Sequence, residues 1–104
     1  NLGELEELVL LAVRSLADQA YGVRVQRRIE RTTGRAVTVG AVYSALDRLE
    51  QKGMLRSETR AGTAERGGRR RRTFQATASG RTALEESRSA REAMWALLGE
   101  SPDV

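Results

Sequence analysis

The 104-residue chain has no cysteine and no histidine. That excludes disulfides and thiolate chemistry and removes the usual general base and the commonest zinc ligand, so neither an enzyme nor a bound cofactor or metal is expected. Its length fits one domain, and no apolar run approaches the ~18 residues of a membrane span.

The N-terminus has no signal-peptide pattern, which makes the cytoplasm the default location and a membrane partner unexpected. The chain starts at Asn1, and a few preceding residues are expected. The net charge of +4 is unevenly spread. Residues 1–17 carry −2, residues 18–35 carry +3, residues 36–54 sum to zero, residues 55–72 carry +5 and residues 73–104 carry −2. Seventeen of the eighteen cationic residues are arginine, the side chain whose planar fork suits phosphate and base edges. A GC-rich genome produces the same bias, so the clustering says more than the ratio.

From Leu2 to Ala17 apolar residues fall at 5, 8, 9, 12, 13 and 16, with Leu10 and Leu11 on other faces. This predicts a helix buried nearly all round, part of it against a second subunit. After a polar break, Tyr21 to Thr32 predicts a shorter helix with Tyr21, Val25 and Ile29 on one side and Arg24, Arg27, Arg28 and Arg31 elsewhere. Those arginines fit a solvated face as well as phosphate contact. Thr33, Gly34 and Arg35 then turn into a third helix, which gives a helix-turn-helix.

The third helix is predicted from about Val39, with Thr38 as N-cap and Gly53 as the stop. Val39, Val42, Leu46 and Leu49 form an apolar stripe at helical spacing, expected to face the core. The other side carries Gly40, Ala41, Ser44, Arg48 and Gln51. Small side chains at the N-terminal end let the backbone approach another surface closely, as a helix must in a DNA major groove about 12 Å wide. A solvated surface helix is the alternative for this stretch alone.

Beyond Gly53 the period shortens. Leu55 to Arg60 and Arg72 to Thr77 alternate, and the glycine-rich, basic AGTAERGGRRR lies between them, which predicts a hairpin with a long tip. Arg69, Arg70, Arg71 and Arg72 fit a wing lying along a phosphate backbone, or a solubilising loop. Four adjacent like charges repel, so the loop is expected to be disordered until an anion neutralises it. Thr77 can cap a last helix, Ala78 to about Leu98, with small or apolar residues at 83, 84, 87, 90, 94, 97 and 98. That seam resembles one side of a helix pair, and Trp95 lies beyond what a three-helix core needs to cover. Residues 99–104 are expected to fray.

In order of elements and in specific residues, the chain resembles the PadR family of bacterial transcriptional regulators over nearly its whole length. The likeness rests on LGELEELVLLAV, YGVRV, VGAVYSALDRLEQKGML and RRTFQATASGRTAL. Gly40, Tyr43, Leu46, Arg48, Leu49 and Gly53 fill the places of the family's recognition block. The chain departs from the family at Ala20, where a histidine is usual, at the Tyr21-Gly22 order, and at Thr73, where the wing's paired aromatics keep only Phe74. Its single C-terminal helix matches the smaller subgroup.

The resemblance implies a mostly α fold with a small β-hairpin wing, in which residues 1–77 form a winged helix-turn-helix and residues 78–104 a C-terminal dimerisation helix and tail. It implies a homodimer that represses by binding a palindromic double-stranded DNA operator. Tyr43 matches a tyrosine whose phenol contacts DNA phosphate, Thr38, Gly40, Ala41 and Ser44 match groove-facing positions, and Arg48 matches a backbone-contacting one. Arg71 and Arg72 match the basic pair at the wing base. Leu5, Leu84, Ala90, Met94, Trp95 and Leu98 are the expected dimer interface. Two other readings stay open: a winged-helix module that docks its basic hairpin on an acidic protein, and a sensor that stacks a small aromatic effector near Trp95.

Overall fold

The computed structural model describes residues 2–60 and 71–99. Three helices come first: α1 (Glu4–Leu16), α2 (Gly22–Thr33) and α3 (Val39–Gln51). An antiparallel hairpin of β1 (Leu55–Arg60) and β2 (Arg71–Ala76) follows, and then a long helix, α4 (Ala78–Ala96), with a 3-10 turn at Leu97–Gly99. The order is that of a winged helix-turn-helix with an added C-terminal helix. In the hairpin Leu55 faces Ala76 and Arg60 faces Arg71. Tyr21 bridges to Thr73, and the Phe74 amide donates to the Ala20 carbonyl at 2.9 Å, so the residues before α2 fasten the wing's second strand.

The expected caps are in place. Thr38 Oγ1 accepts from the Ala41 amide at 3.0 Å at the start of α3, and Thr77 Oγ1 accepts from the Gly80 amide at 3.1 Å at the start of α4. Each satisfies one donor that the first helical turn leaves free. Gly53 follows α3 with φ 76°, the left-handed conformation that suits glycine at a helix stop.

One core holds these elements together. Val9, Leu10, Val13 and Leu16 of α1 meet Val25 and Ile29 of α2 and Val42, Ala45, Leu46 and Leu49 of α3, with Leu55 and Phe74 closing it from the hairpin and Leu84 from α4. Three sequence expectations need correction. Val39 is 37% exposed, and Ala45 takes the place on the buried stripe. Val39 is the first residue of the helix and is left at its edge, while Ala45 is fully buried in the core. The first helix is also not buried nearly all round: Leu11 is 48% exposed, Glu4, Arg14 and Ser15 on the open side are exposed too, and the buried side includes Glu6. Leu84, expected on the seam for a partner, is only 4% exposed and belongs to the core of its own subunit. Leu5 packs half-buried against that core.

Candidate nucleic-acid interface

The exposed side of α3 carries Thr38, Val39, Gly40, Tyr43, Ser44, Asp47, Arg48 and Gln51, with Ala41 half-covered. Its first two turns therefore present small side chains and one aromatic ring, and its charges come later. Tyr43 is set by a neighbour that its own helix does not supply. A Cβ added to Gly22 would lie 2.3 Å from the Tyr43 Cζ atom and 2.5 Å from its hydroxyl oxygen. The ring thus occupies the space that a side chain at residue 22 would fill, and the glycine at the start of α2 is the seat of the tyrosine on α3. Gln26 Nε2 of α2 donates to the Val37 carbonyl at 3.0 Å, which fixes the turn leading into α3.

Beside that seat lies a cationic group. Tyr21, whose backbone is extended, precedes α2; its hydroxyl accepts from Arg24 Nε at 2.8 Å. The Arg71 guanidinium of β2 lies 4.6 Å from the Tyr21 ring centroid and that of Arg24 5.5 Å, both within range of cation–π attraction. Burial pushes the Tyr21 phenol up, but the hydrogen bond from Arg24 and the charges of Arg24 and Arg71 outweigh it and hold the group below its ordinary value. Along α2, Arg24, Arg27, Arg28 and Arg31 line an open depression of about 410 Å³ with Leu16 and Tyr21. None of the four pairs with a carboxylate among the described residues, and Arg28 donates only to Ser15 Oγ, at 2.9 Å.

The other predicted cations are held differently. Arg72 ion-pairs with Glu50 and with Asp47 (3.2 Å) on α3, lies 4.8 Å from the Phe74 ring centroid and donates to Ser57 Oγ at 3.2 Å. It ties the base of the wing to α3. Arg48 pairs with Glu6 of α1 at 3.2 Å. The same Glu6 carboxylate accepts from Lys52 Nζ at 2.8 and 3.0 Å and from the Gly3 amide at 2.9 Å. Burial raises the Glu6 carboxyl, but Lys52, the Gly3 amide and Arg48 together bring it below its ordinary value. Arg69 and Arg70 lie outside the described residues.

The periodicity puts Gly40, Ala41 and Ser44 on one face of α3 and the resemblance adds Thr38 and Tyr43, while the fold brings Arg71 to Tyr21. Sequence reasoning missed the seat at Gly22, the Tyr21 group and the buried Glu6. The YG pair carried the only signal for the first two, because a glycine opening a helix beside an aromatic suggests close approach. No local signal reveals the burial of Glu6, whose cationic partners are 42 and 46 residues away.

At the far end, Ala90, Met94, Trp95 and Leu98 are exposed on α4 and its terminal turn and, with Arg91, line a shallow depression of about 410 Å³. Among the described residues there is no group of acidic residues suited to hold a metal and no helix long and apolar enough to cross a membrane.

The comparisons with known proteins agree with this fold. Residues 10–86 match the model of the transcriptional regulator PadR-like family. Over 75 residues the chain is 39% identical to the transcriptional regulator Rv3488 of Mycobacterium tuberculosis, a match covering 72% of this chain and 65% of that protein, so the chain spans about two-thirds of that relative's length. Among solved structures, a PadR-like transcription factor from Bacteroides fragilis superposes with a TM-score of 0.76 at 21% identity, covering 91% of this chain and 86% of that one. A PadR family regulator from Clostridium difficile gives 0.72 at 21% identity over 93% and 96%. At these identities the structural likeness concerns the fold, and the family model carries the assignment: this chain belongs to the PadR-like family of transcriptional regulators.

Proposed function

We propose that the chain acts in the cytoplasm as a homodimeric repressor that binds a palindromic DNA operator in a sequence-specific manner. The observation that supports this most is the continuous surface formed by the small-residue face of α3, the Tyr43 ring seated on Gly22, and the Tyr21, Arg24 and Arg71 group beside it. A helix with Gly40 and Ser44 outward can bring its backbone to base edges, while cations and a phenol beside it meet the phosphates on either side. Phosphate contacts fix the register and base contacts specify. Arg71 and Arg24 suit the first task, Thr38, Ala41 and Ser44 the second, and the charges of Arg69 and Arg70 add to the attraction for phosphate.

Dimerisation through α4 supplies the symmetry that a palindrome requires. Ala90, Met94, Trp95 and Leu98 are exposed within one subunit, and large apolar side chains clustered in this way mark an interaction surface. Residues 78–104 then serve as the dimerisation element and residues 1–77 as the DNA-binding unit. The two recognition helices of a dimer fit half-sites about 34 Å apart. The test is selection of duplexes from a random library by the purified protein: recovery of an inverted repeat is expected, and recovery of unrelated sequences counts against the reading.

A second reading adds to the first. The depression beside Trp95 is apolar and open, which suits stacking of a flat aromatic effector against the indole. Titration with a panel of aromatic compounds should then change the tryptophan fluorescence, and a flat response to every compound removes the effector from the account.

A further inference from the structure

The first turn of α1 holds three carboxylates, Glu4, Glu6 and Glu7, and each grips a different part of the molecule. Glu4 pairs with Arg35 in the turn between α2 and α3. Glu6 holds Arg48 and Lys52 at the last turn of α3. Glu7 accepts from Ser87 Oγ of α4 at 3.0 Å and pairs with Arg91 of the same helix at 2.7 Å. We propose that this turn positions the recognition helix: Glu6 fixes the end of α3 and withholds Arg48 from the phosphates, and Glu7 links that hold to α4. The proposal rests on the DNA-binding reading above.

Its physical basis is the asymmetry of a buried carboxylate between two cations. Glu6 is 5% exposed, so its charge is compensated by its partners and not by water. Those partners occupy the two ends of a single helical turn, Arg48 and Lys52, and holding both fixes the helix about its axis as well as along it. If the carboxylate loses its charge, Arg48 at the end of α3 becomes available to any phosphate, whatever the sequence. Binding to random DNA then gains, while operator binding loses the fixed geometry that base contacts need. Both changes lower the ratio between the two. A role confined to stability has a different signature, because it reduces the amount of active protein and leaves that ratio unchanged.

The test uses the full chain and the duplex that wild type selects from a random library. Wild type, Glu6→Gln and Glu7→Gln are compared for operator and random-DNA affinity across a salt series, at concentrations normalised to DNA-binding-competent protein. For Glu6→Gln the operator-to-random ratio should fall about tenfold, within the range of coupling between sites. Its salt slope on random DNA should steepen by about one per subunit. Glu7→Gln should lower the ratio less and leave the slope unchanged. A selective wild type whose Glu6→Gln variant keeps both its ratio and its slope overturns this inference alone. If Glu6→Gln does not fold, Glu7→Gln and Ser87→Ala carry the test, and an unchanged ratio in both overturns it. A wild type with no preference for any duplex overturns the DNA-binding reading and this inference with it.

Discussion

The two halves of α4 are one continuous helix, yet they differ in what covers them. In the first half Gly80 lies so close to the loop after α3 that an added Cβ would stand 2.2 Å from the Met54 carbonyl oxygen, Leu84 is in the core, and Ser87 reaches Glu7. From Arg88 to Gly99 every residue is exposed, including Met94 at 66%, Trp95 at 72% and Leu98 at 77%. The same apolar character thus serves two purposes along one helix. The first ten residues complete the subunit's own core, and the remainder presents a surface that a subunit by itself leaves in water, where large apolar side chains gain nothing.

The sharpest way to test that difference is truncation at matched positions. Leu84→Ala should lower the unfolding free energy by about 2–5 kcal/mol, the usual cost of emptying a core leucine site, as read from the urea midpoint at constant slope. Trp95→Glu should instead leave the isolated subunit's fold intact and act on association. Wild type is expected to show a melting temperature that rises with protein concentration, and the variant to lose that dependence and sediment as a monomer. Equal destabilisation by the two changes, at all concentrations, would show that the outer half is part of the same core.

A second comparison sets α4 against the first turn of α1, where charge and not apolar area joins the elements. Glu6 has a carboxyl held below its ordinary value in the folded chain, so its contribution to stability is complete above the unfolded value of about 4.3 and is lost as pH falls through the lower folded value. Acid titration of the unfolding free energy should show a drop below about pH 4 that Glu6→Gln removes. A wild-type curve that stays flat in this range would mean that the pairing with Lys52 and Arg48 does not persist in solution.

The smallest expected effect on stability comes at Gly22. Gly22→Ala displaces the far end of the Tyr43 ring, a side chain that can swing aside, so unfolding should change by about 1 kcal/mol or less. DNA affinity should fall more than stability does, because Tyr43 loses its seat. A variant with unchanged operator affinity would place Tyr43 outside the contact surface.

How much of this was legible in the sequence follows from the range of the interactions. Features set by neighbouring residues were: Thr38 and Thr77 as caps, Gly53 as stop, β1 in its full extent, and the start of α3. Periodicity puts Val39 on the buried stripe of α3 and the fold puts Ala45 there, because alanine carries little hydrophobic weight in a periodicity. The wing was legible as a hairpin, but the role of Arg72 was not. In sequence it is the last of four arginines, and in the fold it is bound to Asp47 and Glu50. Periodicity assigns Glu6 no role, since only the packing of α1 on the end of α3 makes it an interior group. Pattern reveals what a residue does with its neighbours at three and four; the Gly22 seat and the cations of the Glu6 hold depend on residues 21 to 46 away.

The most direct test of the central claim is equilibrium binding of the purified chain to fragments of its own upstream region at two salt concentrations, with random DNA as competitor. Selective binding that weakens steeply with salt is predicted, with a log–log slope near −7 if each subunit of a dimer neutralises about four phosphates at roughly −0.9 per phosphate. Equal, weak binding to every fragment would contradict it. The basic middle of the chain would then be a general electrostatic surface, and docking of the wing on an acidic protein would become the better account.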